Sequence, residues 1–85
     1  MYTIFLRKYH EIKKAGKWIL DETKECEMGN ISSEEYYRIT CYETRKFFES
    51  LGATERVYYK QGRIVKLVST SPDKTARCVY DFQHR

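Results

Sequence analysis

Proline occurs once and glycine four times in this 85-residue chain. That is too little for a disordered or linker-like segment, so the chain is expected to fold along its length. No apolar run approaches the roughly 20 residues needed to cross a bilayer as a helix, which argues against a membrane partner. The opening Met1-Tyr2-Thr3-Ile4-Phe5-Leu6-Arg7-Lys8 lacks the basic start and small-residue cleavage site of a secretory signal, pointing to the cytoplasm. Cysteine is scarce and odd in number: Cys26, Cys41 and Cys78 include no close pair, so free thiols are expected rather than a disulfide framework.

What is present suits one small domain, residues 1–85, near the lower size limit for a self-sufficient core. Aromatic residues make up 15 %, including eight tyrosines, and each supplies a large area for burial. The net charge of +4 is unevenly spread: residues 1–20 carry five basic and one acidic side chain, residues 21–35 one and six, residues 54–85 seven and three. Asp21, Glu22, Glu25, Glu27, Glu34 and Glu35 therefore form an acidic block between basic ends. The block is either a surface that repels phosphate or a set of ordinary solvated and helix-start carboxylates.

The order of elements reads as ββαβββ, an α+β fold with one helix packed on an antiparallel sheet. Residues 2–12 alternate as a strand, Lys13-Lys14-Ala15-Gly16 turns, and a second strand runs from Lys17 to about Glu27, closing an N-terminal hairpin over 1–28. A helix over 6–14 is the alternative for the first segment. Ser32 or Ser33 as N-cap, Glu34 and Glu35 in the first turn, and Gly52 after Leu51 bound a helix over 33–51. Its apolar stripe is expected along Tyr37, Thr40, Cys41, Thr44, Phe47, Phe48 and Leu51.

Residues 54–83 read as a three-stranded meander. A two-residue Gln61-Gly62 turn pairs Lys60 with Arg63, Tyr58 with Val65 and Arg56 with Leu67, and a loop over 71–74 pairs Leu67 with Cys78. That register puts Tyr58, Val65, Leu67, Ala76, Cys78, Tyr80 and Phe82 under the helix. Val57, Tyr59, Ile64, Lys66, Val68, Arg77, Val79 and Asp81 take the other face, covered by the N-terminal hairpin or open to a partner or a second copy of the chain.

Catalysis finds little support. No Cys-x-x-Cys or His-x-x-x-His pair nucleates a metal site, and Cys78 and His84 would stand about 20 Å apart on one strand at about 3.3 Å per residue. Cys41 and Cys78 are expected in the core, and Cys26 sits between Glu25 and Glu27, a poor setting for a nucleophilic thiolate. There is no glycine-rich phosphate loop or nucleophile elbow. The expectation is no enzyme, no cofactor and no metal.

Nucleic acid is one candidate partner, since Tyr58, Tyr59, Lys60, Arg63, Lys66, Lys74, Arg77 and Arg85 mix stacking and phosphate-binding groups on one sheet. On the expected register, however, Tyr58 is core and the outward set shrinks to Tyr59, Lys66 and Arg77. The run Lys46-Phe47-Phe48-Glu49-Ser50-Leu51-Gly52, followed by a hairpin and Ser69-Thr70-Ser71-Pro72-Asp73-Lys74, resembles small accessory proteins of phages and mobile elements in Gram-positive bacteria, over residues 33–83. The resemblance implies a stoichiometric inhibitor of a host defence protein, most concretely an anti-CRISPR inhibitor of a Cas nuclease, and carries over no binding residues. The partner-binding candidates are then Tyr59, Ile64, Lys66, Val68 and Arg77 on the sheet, or Asp21, Glu22 and Glu25 in the acidic block. The preferred reading is the inhibitor. The alternative is a small nucleic-acid-binding or regulatory module using the basic, tyrosine-bearing sheet.

Overall fold

The computed structural model describes residues 2–85, with side chains from residue 4 onward. The strands are β1 (Tyr2–Lys14), β2 (Lys17–Leu20), β3 (Glu27–Ser32), β4 (Thr54–Lys60), β5 (Arg63–Thr70) and β6 (Ala76–His84), and the helical segment comprises α1 (Ser33–Thr40) and α2 (Tyr42–Ser50). The class is α+β: a helical segment packed on a six-stranded antiparallel sheet ordered β2-β1-β6-β5-β4, with β3 also paired to β1. Among the described residues, no helix is long and apolar enough to cross a membrane.

β1 organises the sheet. One of its edges pairs with β6 from Ile4 to Ile12, while the other pairs with β3 near its start and β2 near its end. The N-terminal hairpin therefore extends the meander's own sheet instead of covering its far face, and residues 6–14 are strand, not helix. The return strand expected over 17–27 is divided, because residues 21–26 leave the ladder. Asp21 is the last residue to bond across the hairpin, its N–H donating to His10 O at 2.9 Å, and its carboxylate turns the chain away by accepting from Thr23 N–H at 3.1 Å. Such a side-chain turn competes with strand pairing.

Two hairpins close on turns with positive φ at both central residues, Ala15 (51°) with Gly16 (77°) and Gln61 (53°) with Gly62 (76°). That geometry matches the right-handed twist of the strands it joins. Beyond Gln61-Gly62 the ladder starts as expected, Lys60 opposite Arg63 and Tyr59 opposite Ile64, but then shifts, with Tyr58 opposite Lys66 and Val57 opposite Leu67. Val65 is the extra residue of a β-bulge. The shift exchanges the faces assigned on β4: Val57 packs against the core and Tyr58 leaves it, while Ile64 joins the core side. β5 meets β6 two residues out of the expected register, Leu67 opposite Tyr80 and Ser69 opposite Cys78. An even shift preserves parity, so Leu67, Cys78, Tyr80 and Phe82 stay on the helix side.

Tyr36 holds the bulge in place. Its hydroxyl donates to Ile64 O and accepts from Ile64 N–H, each at 3.0 Å, and His84 Nε2 lies 3.0 Å from the same carbonyl. β5 pairs with β6 only from Lys66 to Thr70, so these side chains stand in for the strand partner Ile64 lacks. The Tyr36 ring meets Phe82 edge-on at 5.0 Å and His84 at 5.1 Å. Ile4, Leu6, Leu67 and Phe82 form the buried cluster beside it, closed by Ile31, Ile39, Val57 and Ile64.

The helix begins as expected, with Ser32 Oγ accepting from Glu35 N–H at 3.1 Å. It does not run unbroken to Leu51. Cys41 adopts an extended backbone (φ −67°, ψ 157°) between the two segments. Side chains take up the carbonyls at the break: Thr40 Oγ1 donates to Tyr36 O (2.8 Å), Thr44 Oγ1 to Arg38 O (2.8 Å) and Arg45 Nε to Thr40 O (3.2 Å). The break also redirects the stripe. Tyr36, Ile39 and Thr40 face the sheet, whereas Tyr37, Phe47 and Leu51 are 68 %, 59 % and 61 % exposed. α2 ends on a double bond, Ala53 N–H to Phe48 O and Gly52 N–H to Glu49 O, with Gly52 at φ 92° as the left-handed cap.

Tyr36→Phe keeps the ring and removes both hydroxyl bonds, leaving Ile64 N–H without a partner. Urea unfolding of this variant should show a loss of about 1–3 kcal/mol, and a loss below about 0.5 kcal/mol would show that water replaces the hydroxyl at no cost.

Candidate nucleic-acid interface

Both helices lie on one face of the sheet, which leaves the opposite face without a second layer. Register decides which side chains stand there, since paired residues share a face. Tyr58, Lys66, Asp81 and Arg7 form one row across β4, β5, β6 and β1, and Arg56, Val68, Val79 and Tyr9 form the next. Thr70, Arg77 and Glu11 continue the series, and Lys13 pairs with Trp18 at the far corner. The cations Arg7, Lys13, Arg56, Lys66 and Arg77 therefore stand in these rows with two carboxylates, Glu11 and Asp81.

Cations cover the rings. Arg7 lies 4.6 Å from the Tyr9 centroid and Lys66 5.9 Å from that of Tyr58. Trp18 has Arg77 at 4.4 Å and Lys13 at 5.6 Å, while Arg85 lies over Phe5 at 5.3 Å. An aromatic ring attracts a cation to its face, and the aliphatic stems hide apolar surface while the charged heads reach water. The result is visible at the centre: Val79 is 0 % and Val68 8 % exposed although no helix covers them. Arg77 is held further by Glu11, with Nε and Nη2 each 2.7 Å from one carboxylate oxygen in a half-buried pair. Burial pushes the Tyr9 phenol up, helped by the charges of Asp81 and Glu11, so it stays neutral near pH 7.

Of the sequence-derived candidates, Lys66 and Arg77 take their expected place on this face. Val68 is on the face but too buried to serve as an exposed anchor. Tyr59 and Ile64 are on the other side, because the bulge at Val65 reverses parity between them and Lys66. Sequence reasoning did not reach Arg7, Tyr9 and Lys13 on β1, which joins the meander edge to edge, or Trp18 on the neighbouring β2, and it assigned Tyr58 to the core. Asp21 spends its carboxylate on the local turn, and Glu22 and Glu25 lie exposed in the same loop. The acidic block does not gather: β3 separates Glu25 from Glu34 by about 20 Å of extended chain, and Glu35 pairs with Arg38.

On the helix side, a cavity of about 520 Å³ lies between α2 and the sheet, with Phe48, Leu67 and Tyr80 against Arg45 and Glu55. Burial raises the Glu55 carboxyl, partly offset by a hydrogen bond from Ser69. Cys78 also lines this space, and burial pushes its thiol up. Cys41 lies at the helix break with Sγ 3.2 Å from Thr44 Oγ1, not on a buried stripe. Among the described residues, no three His, Cys, Asp or Glu side chains are grouped to hold a metal ion.

Because Cys26 is exposed and burial disfavours the Cys78 thiolate, alkylation near pH 8 followed by peptide mapping should label Cys26 first and Cys78 last. Equal rates at both would show that the helix side opens on the labelling timescale. No protein-family model matches the chain, and no curated protein or solved structure matches it either.

Proposed function

We propose that the protein is a nucleic-acid-binding module that uses the open face of its sheet. The observation that carries this reading is the interleaving of cations and rings there: Arg7, Arg56 and Lys66 in reach of phosphates, with Tyr9, Trp18 and Tyr58 between them. Basic groups spaced among aromatic ones are what a polyanion carrying flat bases requires. The sequence counts against this partner in three ways, a small outward set with Tyr58 in the core, no ribonucleoprotein, GXXG or recognition-helix motif, and a net charge of only +4; the bulge reverses the first. A module of this kind would act in the cytoplasm of a host cell and needs no cofactor.

Gel-shift titration tests the reading. If about four phosphates are neutralised, affinity should fall roughly fifty-fold or more between about 50 and 200 mM salt. Arg56→Ala and Lys66→Ala should each lower the salt slope by about one. Absence of binding at low salt would sink the reading.

A second reading keeps the chain as a stoichiometric inhibitor of a larger host defence protein, in its most concrete form a CRISPR nuclease. A different surface favours it: Tyr37, Tyr42, Phe47 and Leu51 leave the helical segment unusually apolar toward solvent, and exposed aromatics are common interface anchors. Under this reading Phe47→Asp abolishes inhibition in a Cas nuclease assay while leaving unfolding unchanged. No inhibition by the unmodified protein would count against it.

A further inference from the structure

The open face is not uniformly flat. A cleft of about 220 Å³ is set into it, lined by Trp18, Tyr58, Val68 and Thr70 together with Arg56, Lys74 and Arg77, the last 4.4 Å from the indole centroid. No acidic side chain lines it. Two aromatic rings beside the buried Val68 suit a flat, weakly polar ring. A cationic rim without carboxylates suits the phosphates attached to one. The volume falls below the roughly 300 Å³ at which pockets for whole small-molecule ligands begin, so the cleft fits one base rather than a larger compound.

We propose that this cleft takes an unpaired nucleobase, and that the ligand of the open face is therefore a single strand rather than a duplex; this rests on the nucleic-acid reading above. In a duplex each base is stacked above and below and presents only an edge, so no base face is free to lie against Trp18 or Tyr58. In a single strand the base swings out at small cost and gains aromatic contact that every base type can make. Lys74 is well placed for the adjoining phosphate. It sits at φ 60° in the turn before β6, where Asp73 accepts from Ser71 Oγ at 2.6 Å and Thr75 N at 3.1 Å. The turn's own bonds therefore hold it without help from the lysine amine.

Trp18 is the chain's one tryptophan, so its fluorescence reports on the cleft directly. The intact protein is titrated with an unstructured deoxythymidine oligonucleotide and with a hairpin duplex of equal phosphate number. The single strand should quench Trp18 and bind about ten-fold more tightly than the duplex. Tyr58→Ala should weaken single-strand binding about ten-fold and narrow the gap between single strand and duplex. Lys74→Gly, which removes the charge at a position glycine accepts readily, should weaken single-strand binding several-fold and keeps the test valid if Tyr58→Ala does not fold. Equal binding of both ligands, without quenching, would overturn the inference while leaving the nucleic-acid reading intact. No binding of either would overturn both.

Discussion

The Tyr36 hydroxyl on the Ile64 backbone is the contact on which the rest of the structure depends. It makes two hydrogen bonds to one residue at the point where β5 is paired with β4 but not with β6. Without a partner, Ile64 N–H and C=O would be half-buried polar groups at a cost of about 1–3 kcal/mol. With one, the strand tolerates an extra residue. The helix is thus anchored to a discontinuity in the sheet, and that discontinuity decides which residues of β4 look outward. Core and surface are specified by a single side chain on α1.

The second layer of the molecule follows from that choice. A six-stranded sheet with a helix on one side leaves a face that must exclude water from Val68 and Val79 or expose them. Long side chains do the covering, and Arg7, Lys13, Lys66, Arg77 and Arg85 each set a charged end over a ring. Such a lid is thin and made of separate pieces. Its charged ends are held by ring contacts worth about 0.5–1 kcal/mol each at exposed sites, so a ligand that offers phosphate and base together competes with them on comparable terms. The Arg77–Glu11 pair is the exception, doubly bonded and half-buried, and it fixes the floor on which the looser groups move.

Much of this architecture was legible in the chain. Ser32 and Gly52 marked the helical ends through their capping chemistry, Gln61-Gly62 marked a turn, and the alternation of Cys78, Tyr80 and Phe82 kept them on the core side despite a shifted loop register. The bulge was not legible. Ile64 and Val65 are both β-branched, and neither glycine nor proline marks the extra residue; its cause lies 28 residues away in Tyr36. The helix break was hidden for a similar reason, since Ile39-Thr40-Cys41 contains no breaker and the compensating bonds come from Thr44 and Arg45. The second strand was expected to run to about Glu27, and only the Asp21 turn reveals that the chain leaves it after Leu20. The open face suffered most, because an edge-to-edge join between β1 and β6 is a long-range pairing that no local pattern records.

The break at Cys41 has a kinetic consequence. α2 contributes no buried residue, is separated from α1 by an extended backbone, and is tied down at its far end mainly by the Gly52 cap, where a Cβ would stand 3.1 Å from Pro72. Segments with so few buried apolar groups open at free energies well below that of global unfolding. Residues 42–50 therefore form a unit whose amides exchange with solvent ahead of the sheet, while Tyr36 and Thr40 keep α1 protected. The molecule is a sheet with one helical segment fixed to it and a second that opens without disturbing it.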